Sequence, residues 1–288
     1  MGRKLIIVLG PTAVGKTDYS LELAQKHSSP IISCDSRQIY REMTIGTAVP
    51  SAAQLSAVQH YFIHTKSVTD YYTAGRYEAE AIPLIERLFG EGHETLVMTG
   101  GSMFYIDAVC SSLDHIPTAD LDVRKSLKAR VESEGPGFLA GELARLDPDA
   151  YAAMDLSNTQ RLFRAVEICI TTGKAYSSFK ERPGETSRDF EIEKVGLYRP
   201  REELYDRINR RVISMMDEGL EQEVRSLVQY RDLTALQTVG YKEMFDYLDG
   251  VTSLDEAVSL IQRNTRHYAK RQMTWWRRDP SIRWIPAG

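Results

Sequence analysis

The sequence predicts an α/β fold in which a P-loop-type parallel sheet is flanked by helices and carries a helical insertion domain. Short apolar runs rich in β-branched residues alternate with helical patterns, which is typical of buried parallel strands. Such runs occur at residues 5–9, 31–34, 95–99, 192–198 and 282–285. A glycine-rich phosphate-binding motif follows the first run directly, and the long interval between the third and fourth runs indicates the insertion.

The interval at residues 100–191 is much longer than a strand–helix–strand unit of roughly 30 residues requires. It contains helical patterns of its own at 121–134, 137–146 and 158–172. Pro117 precedes these patterns, and Arg182-Pro183-Gly184 follows them. We therefore predict three segments, which are 1–117 as the first part of the P-loop catalytic core, 118–189 as the helical insertion, and 190–288 as the second part of the core with a basic C-terminal helix.

The composition is that of an ordinary globular protein, with 42% hydrophobic and 26% charged residues in a chain of 288. No apolar run approaches the roughly 18 residues of a membrane-spanning helix, so no membrane association is expected. Cys34, Cys110 and Cys169 are too few and too scattered for a disulfide framework or a cysteine metal site. We expect a reduced, cytoplasmic, monomeric protein.

The formal net charge of −4 conceals a basic C-terminal segment, because residues 263–288 contain seven Lys or Arg and one Asp. Within the helical pattern 254–276, apolar residues share one face and cations share the opposite face. The apolar face comprises Leu254, Val258, Ile261, Tyr268 and Trp275, and the cationic face comprises Arg263, Arg266, Lys270 and Arg277. The apolar face predicts contact with the core, including Trp275. The cationic face predicts contact with nucleic-acid phosphates, and the alternative is an ordinary solvated face.

A G-x-x-x-x-G-K-[ST] motif lies between the first strand and the helical segment 18–27, which is the context that this motif requires. Its backbone N–H groups surround phosphate oxygens, and the helix N-terminus adds positive potential. Lys16 would neutralise phosphate charge, and the Thr17 hydroxyl would bind Mg²⁺. The motif is typical of nucleotide-binding and ATP-binding proteins, although it specifies only a polyphosphate. It comprises Gly10, Pro11, Thr12, Ala13, Val14, Gly15, Lys16 and Thr17.

The carboxylate that would accompany a polyphosphate and Mg²⁺ follows the second run rather than the third. The third run ends in Gly100-Gly101-Ser102, where a Walker-B Asp is absent. The second run ends in Asp35, followed by Ser36-Arg37-Gln38. Ligands of open parallel sheets bind beyond the carboxyl ends of the strands, so both turns should face the P-loop. Asp35 is a candidate metal ligand or general base, and the alternative is a cap for a following helix.

Seven further motifs accompany the P-loop in order along almost the whole chain. They are Asp35-Ser36-Arg37-Gln38-Ile39-Tyr40, Met43-Thr44-Ile45-Gly46-Thr47-Ala48, Gly100-Gly101-Ser102, Gln160-Arg161 with Arg164-Ala165-Val166-Glu167, Thr172-Gly173-Lys174, Val239-Gly240-Tyr241-Lys242-Glu243, and Thr265-Arg266-His267-Tyr268-Ala269-Lys270-Arg271-Gln272-Met273-Thr274-Trp275. With these motifs the sequence resembles the tRNA dimethylallyltransferase family. The resemblance implies transfer of a dimethylallyl group from dimethylallyl diphosphate to N6 of the adenosine 3′ of the anticodon in tRNA, with release of diphosphate.

The resemblance also implies roles for individual residues. The P-loop would hold the diphosphate of the donor, with Mg²⁺ on Thr17 and Asp35. Asp35 would be the general base, and Lys16, Thr17 and Ser102 would lie near the reacting centre. The residues expected to contact the tRNA anticodon stem-loop are Asp35, Ser36, Arg37, Gln38, Ser102, Arg124, Gln160, Arg161, Arg164, Val239, Gly240 and Tyr241. The cationic face of the last helix adds Arg263 and Arg266 to this set.

Chemical reasoning agrees with these roles. An exocyclic adenine amine is a weak nucleophile because its lone pair is delocalised, and a positioned base typically contributes about 10²–10⁴-fold. A departing diphosphate requires fixed donors where its charge develops. Arg207 and Arg211 lie four residues apart and share a helix face, so they are candidates for diphosphate contacts. The alternative for this pair is a solvated position among neighbouring acidic residues.

The chain departs from the family pattern at three places. It has Gln59-His60-Tyr61-Phe62 where Pro-His-His-Leu is usual, Ser102 where Thr is commoner, and Thr159 where an acidic residue often precedes Gln-Arg. His60 and His64 have no third ligand nearby in sequence, so a metal pair is not expected.

Three other functions are compatible with the sequence. They are a free-adenylate isopentenyltransferase, a P-loop small-molecule kinase, and a nucleotide-gated RNA-binding switch without catalysis. The helical insertion and the basic C-terminal helix favour an RNA acceptor over a mononucleotide, which requires neither of them.

Overall fold

The computed structural model describes residues 2–111, 120–179 and 188–288. The chain divides into two compact units, of which the first is Met1–Cys110 with Arg188–Gly288 and the second is Ser111–Ser187. The predicted insertion at 118–189 covers most of the second unit. Its first boundary and the Arg182-Pro183-Gly184 segment lie outside the described residues.

The described part of the chain contains six strands and twelve α-helices, with two short 3-10 helices at Tyr176–Phe179 and Val228–Tyr230. The strands are β1 Lys4–Leu9, β2 Ile31–Ser33, β3 His60–Tyr61, β4 Thr95–Thr99, β5 Glu191–Tyr198 and β6 Arg283–Pro286. The helices are α1 Lys16–Lys26, α2 Ala52–Ala57, α3 Ala74–Gly90, α4 Met103–Ser111, α5 Leu121–Glu134, α6 Phe138–Leu146, α7 Pro148–Ala153, α8 Thr159–Thr172, α9 Arg201–Asp217, α10 Leu220–Ser226, α11 Tyr241–Leu248 and α12 Leu254–Trp276.

The six strands form one sheet in the order β3-β2-β4-β1-β5-β6, and every neighbouring pair is parallel. The predicted α/β class with a parallel sheet is therefore confirmed. Strand β3 was not predicted because it has only two residues and no apolar run. Its residues pair with Ile31 and Ile32 at the edge of the sheet.

Both faces of the central strands are buried, which explains their continuous apolar sequence. On one face, Leu5 and Ile7 pack in a cluster that includes residues of α3, α4 and α12. On the other face, Ile6 and Val8 pack with Ile208 of α9.

Helix α12 matches the predicted range. Of its predicted apolar face, Ile261 is buried in the core, and Leu254, Val258 and Trp275 are partly buried against it. Trp275 also donates its indole N–H to Asp107 at 3.0 Å. The buried surface is wider than predicted, because Gln272 and Trp276 are buried as well. The helix packs against both α9 and α11 and reaches the turn after β4, so more than one stripe of it is covered.

The second unit has a hydrophobic core of its own between α5, α6 and α8. Leu139, Leu143, Leu162 and Val166 are buried in it. Asp147 is almost fully buried and accepts the N–H of Ala150, so it caps α7. The helices predicted for this segment thus pack together around apolar faces.

Candidate active site around the P-loop

The glycine-rich motif connects β1 to α1, which is the strand–loop–helix context that phosphate binding requires. Gly15 lies directly before α1 with φ of 111°, a left-handed conformation that glycine adopts without a steric penalty. The Lys16 ammonium donates to the carbonyls of Gly10 at 2.9 Å and Pro11 at 3.0 Å. These bonds hold Lys16 across the loop, close to the place where phosphate oxygens would bind.

Two arginines of the C-terminal half hold the other side of the P-loop. Arg207 on α9 donates Nε to the carbonyl of Ala13 at 2.9 Å. Arg199 donates Nε to the carbonyl of Val14 at 2.9 Å. Arg207 thus lies next to the P-loop, and its contact with a diphosphate stays a prediction. Arg199 was missed, although its place directly after the carboxyl end of β5 was a usable signal.

Helix α12 connects the P-loop to the turn after β4. The Gln272 Oε1 accepts the N–H of Thr12 at 2.9 Å, and its Nε2 donates to the carbonyl of Gly101 at 2.8 Å. The Tyr268 hydroxyl donates to the same carbonyl at 3.0 Å. Sequence reasoning missed Gln272 because its partners lie far away along the chain and its position looks like core.

The carboxylate of Asp35 is oriented by its own turn. Its Oδ1 accepts the backbone N–H of Arg37 at 2.8 Å and of Gln38 at 3.3 Å. Turns follow Asp35, and the next helix in the described chain is α2, so the helix-cap alternative is wrong. No described residue donates a hydrogen bond to Oδ2, which leaves this oxygen for a ligand.

Ser102 is buried and its hydroxyl binds the turn that carries Asp35. The hydroxyl accepts the backbone N–H of Ser36 at 2.7 Å and donates to the Ser36 Oγ at 2.9 Å. The hydroxyl therefore holds Ser36, the residue next to Asp35, and the place of Ser102 near the reacting centre stays a prediction.

Two cavities meet at this site. The P-loop cavity, of about 540 Å³, is lined by Lys16, Thr17, Gln38 and Arg207 among others. The large cavity, of about 880 Å³, is lined by residues that include Ser36, Arg37 and Ser102. Both are lined by Thr12, Asp35, Thr47 and Arg211. Asp35 and Arg211 thus lie where a ligand on the P-loop would meet a ligand in the large cavity.

The electrostatics of the P-loop cavity favour an anion. Burial and, to a smaller extent, the nearby charge of Arg211 together lower the pKa of Lys16 to about 8. Burial also lowers the pKa of the Arg211 guanidinium. Burial disfavours the charged form of both side chains, and a bound anion would offset this cost.

The predicted RNA contacts of the first unit separate into two groups. Arg37, Val239, Gly240 and Arg263 line the large cavity. Gln38 lines the P-loop cavity instead, and its amide donates to the carbonyls at positions 47 and 48.

Two predicted contacts are corrected. Tyr241 is fully buried and its hydroxyl donates to Glu223 at 2.7 Å, so its side chain is a core residue. Arg266 donates to the Asn209 Oδ1 at 2.6 Å and lies over the ring of Tyr205, because α9 packs on this side of α12.

The arginines of α12 that line the large cavity are therefore Arg263 and Arg271, and the His267 side chain lines it as well. Arg271 was not predicted as a site residue, although it belongs to the motif at 265–275. Lys270 and Arg277 of the predicted cationic face are exposed but do not line this cavity.

In the second unit, Arg124 and Arg164 are both paired with one buried carboxylate. Glu167 is fully buried and accepts from Arg124 at 3.1 Å and from Arg164 at 2.6 Å. Gln160 and Arg161 are exposed in the first turn of α8. The two paired arginines are held in fixed orientations, whereas the exposed pair lies on the surface.

His60 and His64 each lie beside a polar group of the chain. His60 Nδ1 lies 2.7 Å from the carbonyl of Val58, and His64 Nε2 lies 3.3 Å from the Thr44 hydroxyl. No group of three or more His, Cys, Asp or Glu side chains suited to a metal ion occurs within residues 2–111, 120–179 and 188–288. In the same ranges, no helix is both long and apolar enough to cross a membrane.

A parallel sheet with a glycine-rich loop after β1 and an oriented carboxylate after β2 defines a P-loop-type α/β protein. The chain belongs to the IPP transferase family, whose family model matches residues 38–279. The resemblance inferred from the motifs is thus confirmed. The chain is 52% identical to tRNA dimethylallyltransferase 1 of Bacteroides thetaiotaomicron over 98% of its length and 91% of that protein. It is 46% identical to tRNA dimethylallyltransferase of Christiangramia forsetii, over 99% and 94% of the two chains.

Solved structures give the same relationship. The full-length tRNA isopentenylpyrophosphate transferase of Bacillus halodurans matches with a TM-score of 0.71 and 38% identity, over 99% of this chain and 90% of that one. A eukaryotic dimethylallyltransferase acting on tRNA matches with a TM-score of 0.80 and 26% identity, over 99% of this chain and 74% of that one.

Proposed function

We propose that this chain is a prenyltransferase that transfers a dimethylallyl group from dimethylallyl diphosphate to N6 of the adenosine 3′ of the anticodon in tRNA, and releases diphosphate. The observation that carries the proposal is the meeting of the two cavities at Asp35 and Arg211. One cavity has the donors for a diphosphate, and the other is large and open enough for part of an RNA loop. Membership of the IPP transferase family supports the same assignment.

On the donor side, the P-loop amides and the Lys16 ammonium would bind the diphosphate. Arg207 and Arg211 line the same cavity. They would place positive charge where the leaving diphosphate develops negative charge. Fixed donors of this kind stabilise a departing anion more in the transition state than in the ground state. The diphosphate would leave with the electron pair of the carbon–oxygen bond that breaks.

On the acceptor side, Asp35 would take the proton of the adenine amine as the new nitrogen–carbon bond forms. Its Oδ1 is occupied by two backbone N–H groups, so Oδ2 is the oxygen that would accept the proton. Ser102 would keep this turn in place through Ser36. A target base must leave its stack to reach such a site, which is how enzymes gain access to a base in a structured loop.

Mg²⁺ fits the residues present. Thr17 and Asp35 both line the P-loop cavity, and Mg²⁺ commonly binds one or two carboxylates together with substrate phosphates and water. The ion would neutralise charge on the diphosphate. Thr17 and Asp35 are the residues that would hold it.

Further tRNA contacts are proposed on both units. Arg37, Arg263 and Arg271 line the large cavity and would contact phosphates or bases near the target adenosine. In the insertion, the exposed Gln160 and Arg161 are proposed to contact the stem-loop, with Arg124 and Arg164 as contacts whose orientation Glu167 fixes.

The test compares acceptors and donors in one experiment. Labelled dimethylallyl diphosphate is incubated with the protein and either unmodified tRNA or free adenylate, and ATP hydrolysis is followed in parallel. The proposal predicts label on tRNA, none on adenylate, and no phosphate release from ATP. Label on adenylate alone would establish the free-adenylate alternative, and tRNA-stimulated phosphate release from ATP would establish the kinase or the switch.

A further inference from the structure

Phe104 is a large apolar side chain that is 57% exposed and lines the large cavity. Single exposed apolar residues are common on proteins and by themselves require no explanation. Phe104 differs because it lines the same cavity as Asp35, and because a second aromatic ring fixes its position. It lies in the first turn of α4, two residues after Ser102, whose hydroxyl binds the neighbour of Asp35, Ser36.

The ring that fixes Phe104 is Trp275. The two ring centroids are 5.1 Å apart with planes at 69°, an edge-on arrangement that aromatic pairs prefer. Trp275 is itself held, because its indole N–H donates to the Asp107 carboxylate at 3.0 Å. The Phe104 ring is therefore oriented before any ligand arrives, which lowers the entropic cost of binding.

The cavity that Phe104 lines also contains arginines. Arg37, Arg263 and Arg271 line it, together with the carboxylates of Asp35, Glu243 and Asp246. An exposed aromatic ring in a cavity with arginines is a combination that binds unstacked bases of single-stranded nucleic acid. The volume of about 880 Å³ lies toward the upper end of the roughly 300–1,000 Å³ typical of small-ligand sites, so there is space beyond one base.

We propose that Phe104 stacks on a nucleobase adjacent to the target adenosine in the tRNA loop, and so positions the loop for transfer. The inference rests on the proposed function and adds a specific base contact to it. Phe104 is a binding residue here, and it takes no part in moving the proton or the prenyl group.

The test uses three substitutions at one position. Phe104→Ala removes the ring, Phe104→Leu keeps an apolar side chain without a ring, and Phe104→Tyr keeps the ring. At saturating dimethylallyl diphosphate, we expect the KM for tRNA to rise about 5- to 150-fold for Ala and Leu, and to stay near the wild-type value for Tyr. The KM for dimethylallyl diphosphate should not change in any of them. Val251→Ala is the matched control, because Val251 is 72% exposed and does not line this cavity.

A second measurement identifies the base. Two stem-loop substrates are compared, one with an abasic nucleotide 5′ of the target adenosine and one with it 3′. With wild-type enzyme, only the substrate that lacks the stacked base should lose activity. With Phe104→Ala, that abasic substitution should cause no further loss. The inference is overturned if Phe104→Leu retains wild-type activity or if Phe104→Ala has no effect. It is also overturned if the loss from Phe104→Ala and the loss from the abasic nucleotide add at both positions. Wild-type protein that modifies no stem-loop would overturn the proposed function as well, whereas active wild type with unaffected Phe104 variants overturns the stacking alone.

Discussion

Glu223 holds a loop of the active site through one carboxylate. It accepts the backbone N–H groups of Thr44 at 2.9 Å, Ile45 at 2.7 Å and Gly46 at 2.9 Å. The Tyr241 hydroxyl donates to it at 2.7 Å. We predict that Glu223→Ala destabilises the fold and also lowers the turnover number, because this loop continues into the residues that hold Gln38.

The magnitude follows from the partners that remain. Thr44 is exposed and Ile45 and Gly46 are half-buried, so water replaces much of what their N–H groups lose. The Tyr241 hydroxyl is buried and would be left without its acceptor, which costs about 1–3 kcal/mol. Together with a partial loss of the three charge-assisted hydrogen bonds, we expect the free energy of unfolding to fall by about 3 kcal/mol. In a chain of this size, that lowers the unfolding temperature by about 6–12 °C.

Thermal unfolding and steady-state kinetics check this prediction together. Glu223→Gln keeps one acceptor oxygen and should lose less stability than Glu223→Ala. Gln222→Ala, at an exposed neighbouring position of the same helix, is the control and should unfold as wild type does. The turnover number should fall in Glu223→Ala because the Gln38 amide donates to carbonyls of the same loop. An alanine variant with wild-type unfolding temperature and turnover number would refute the reasoning.

Two further predictions concern charge. Because the pKa of Lys16 is lowered to about 8, the ammonium loses its proton as the pH rises through about 8, and affinity for dimethylallyl diphosphate should fall. Binding measured across this pH range should show the fall in wild type and no such dependence in Lys16→Ala. Neutralising Arg263 and Arg271 together should flatten the slope of log tRNA affinity against log salt by up to about 1.8, whereas neutralising Lys270 and Arg277 should not change it. An unchanged slope in the first pair would place the RNA phosphates elsewhere.

Much of the core was predictable because local patterns determine it. Strand β4 and helices α5 and α12 begin and end where the apolar pattern predicts. The P-loop and Asp35 were predictable as neighbours because the carboxyl ends of parallel strands meet at one edge of the sheet. The two-residue strand β3 was missed because a sheet edge needs no apolar run.

Contacts between distant parts of the chain were not predictable. Gln272 on α12 bonds Thr12 of the P-loop, and no local pattern indicates this pairing. Arg266 looked exposed in a helical projection, but α9 packs over it and Asn209 accepts its hydrogen bond. Tyr241 belongs to a motif of the site and is nevertheless buried, because it supports Glu223 rather than a ligand.

The rate of a single prenyl transfer in Asp35→Asn tests the central claim most directly. Asn keeps an acceptor oxygen for the N–H groups of Arg37 and Gln38, so the turn should persist while the base is lost. With enzyme in excess over tRNA and saturating dimethylallyl diphosphate, the account predicts a rate lowered about 10²-fold or more, with tRNA affinity within a few-fold of wild type. A rate close to that of wild type would contradict Asp35 as the base and with it the proposed chemistry of this site.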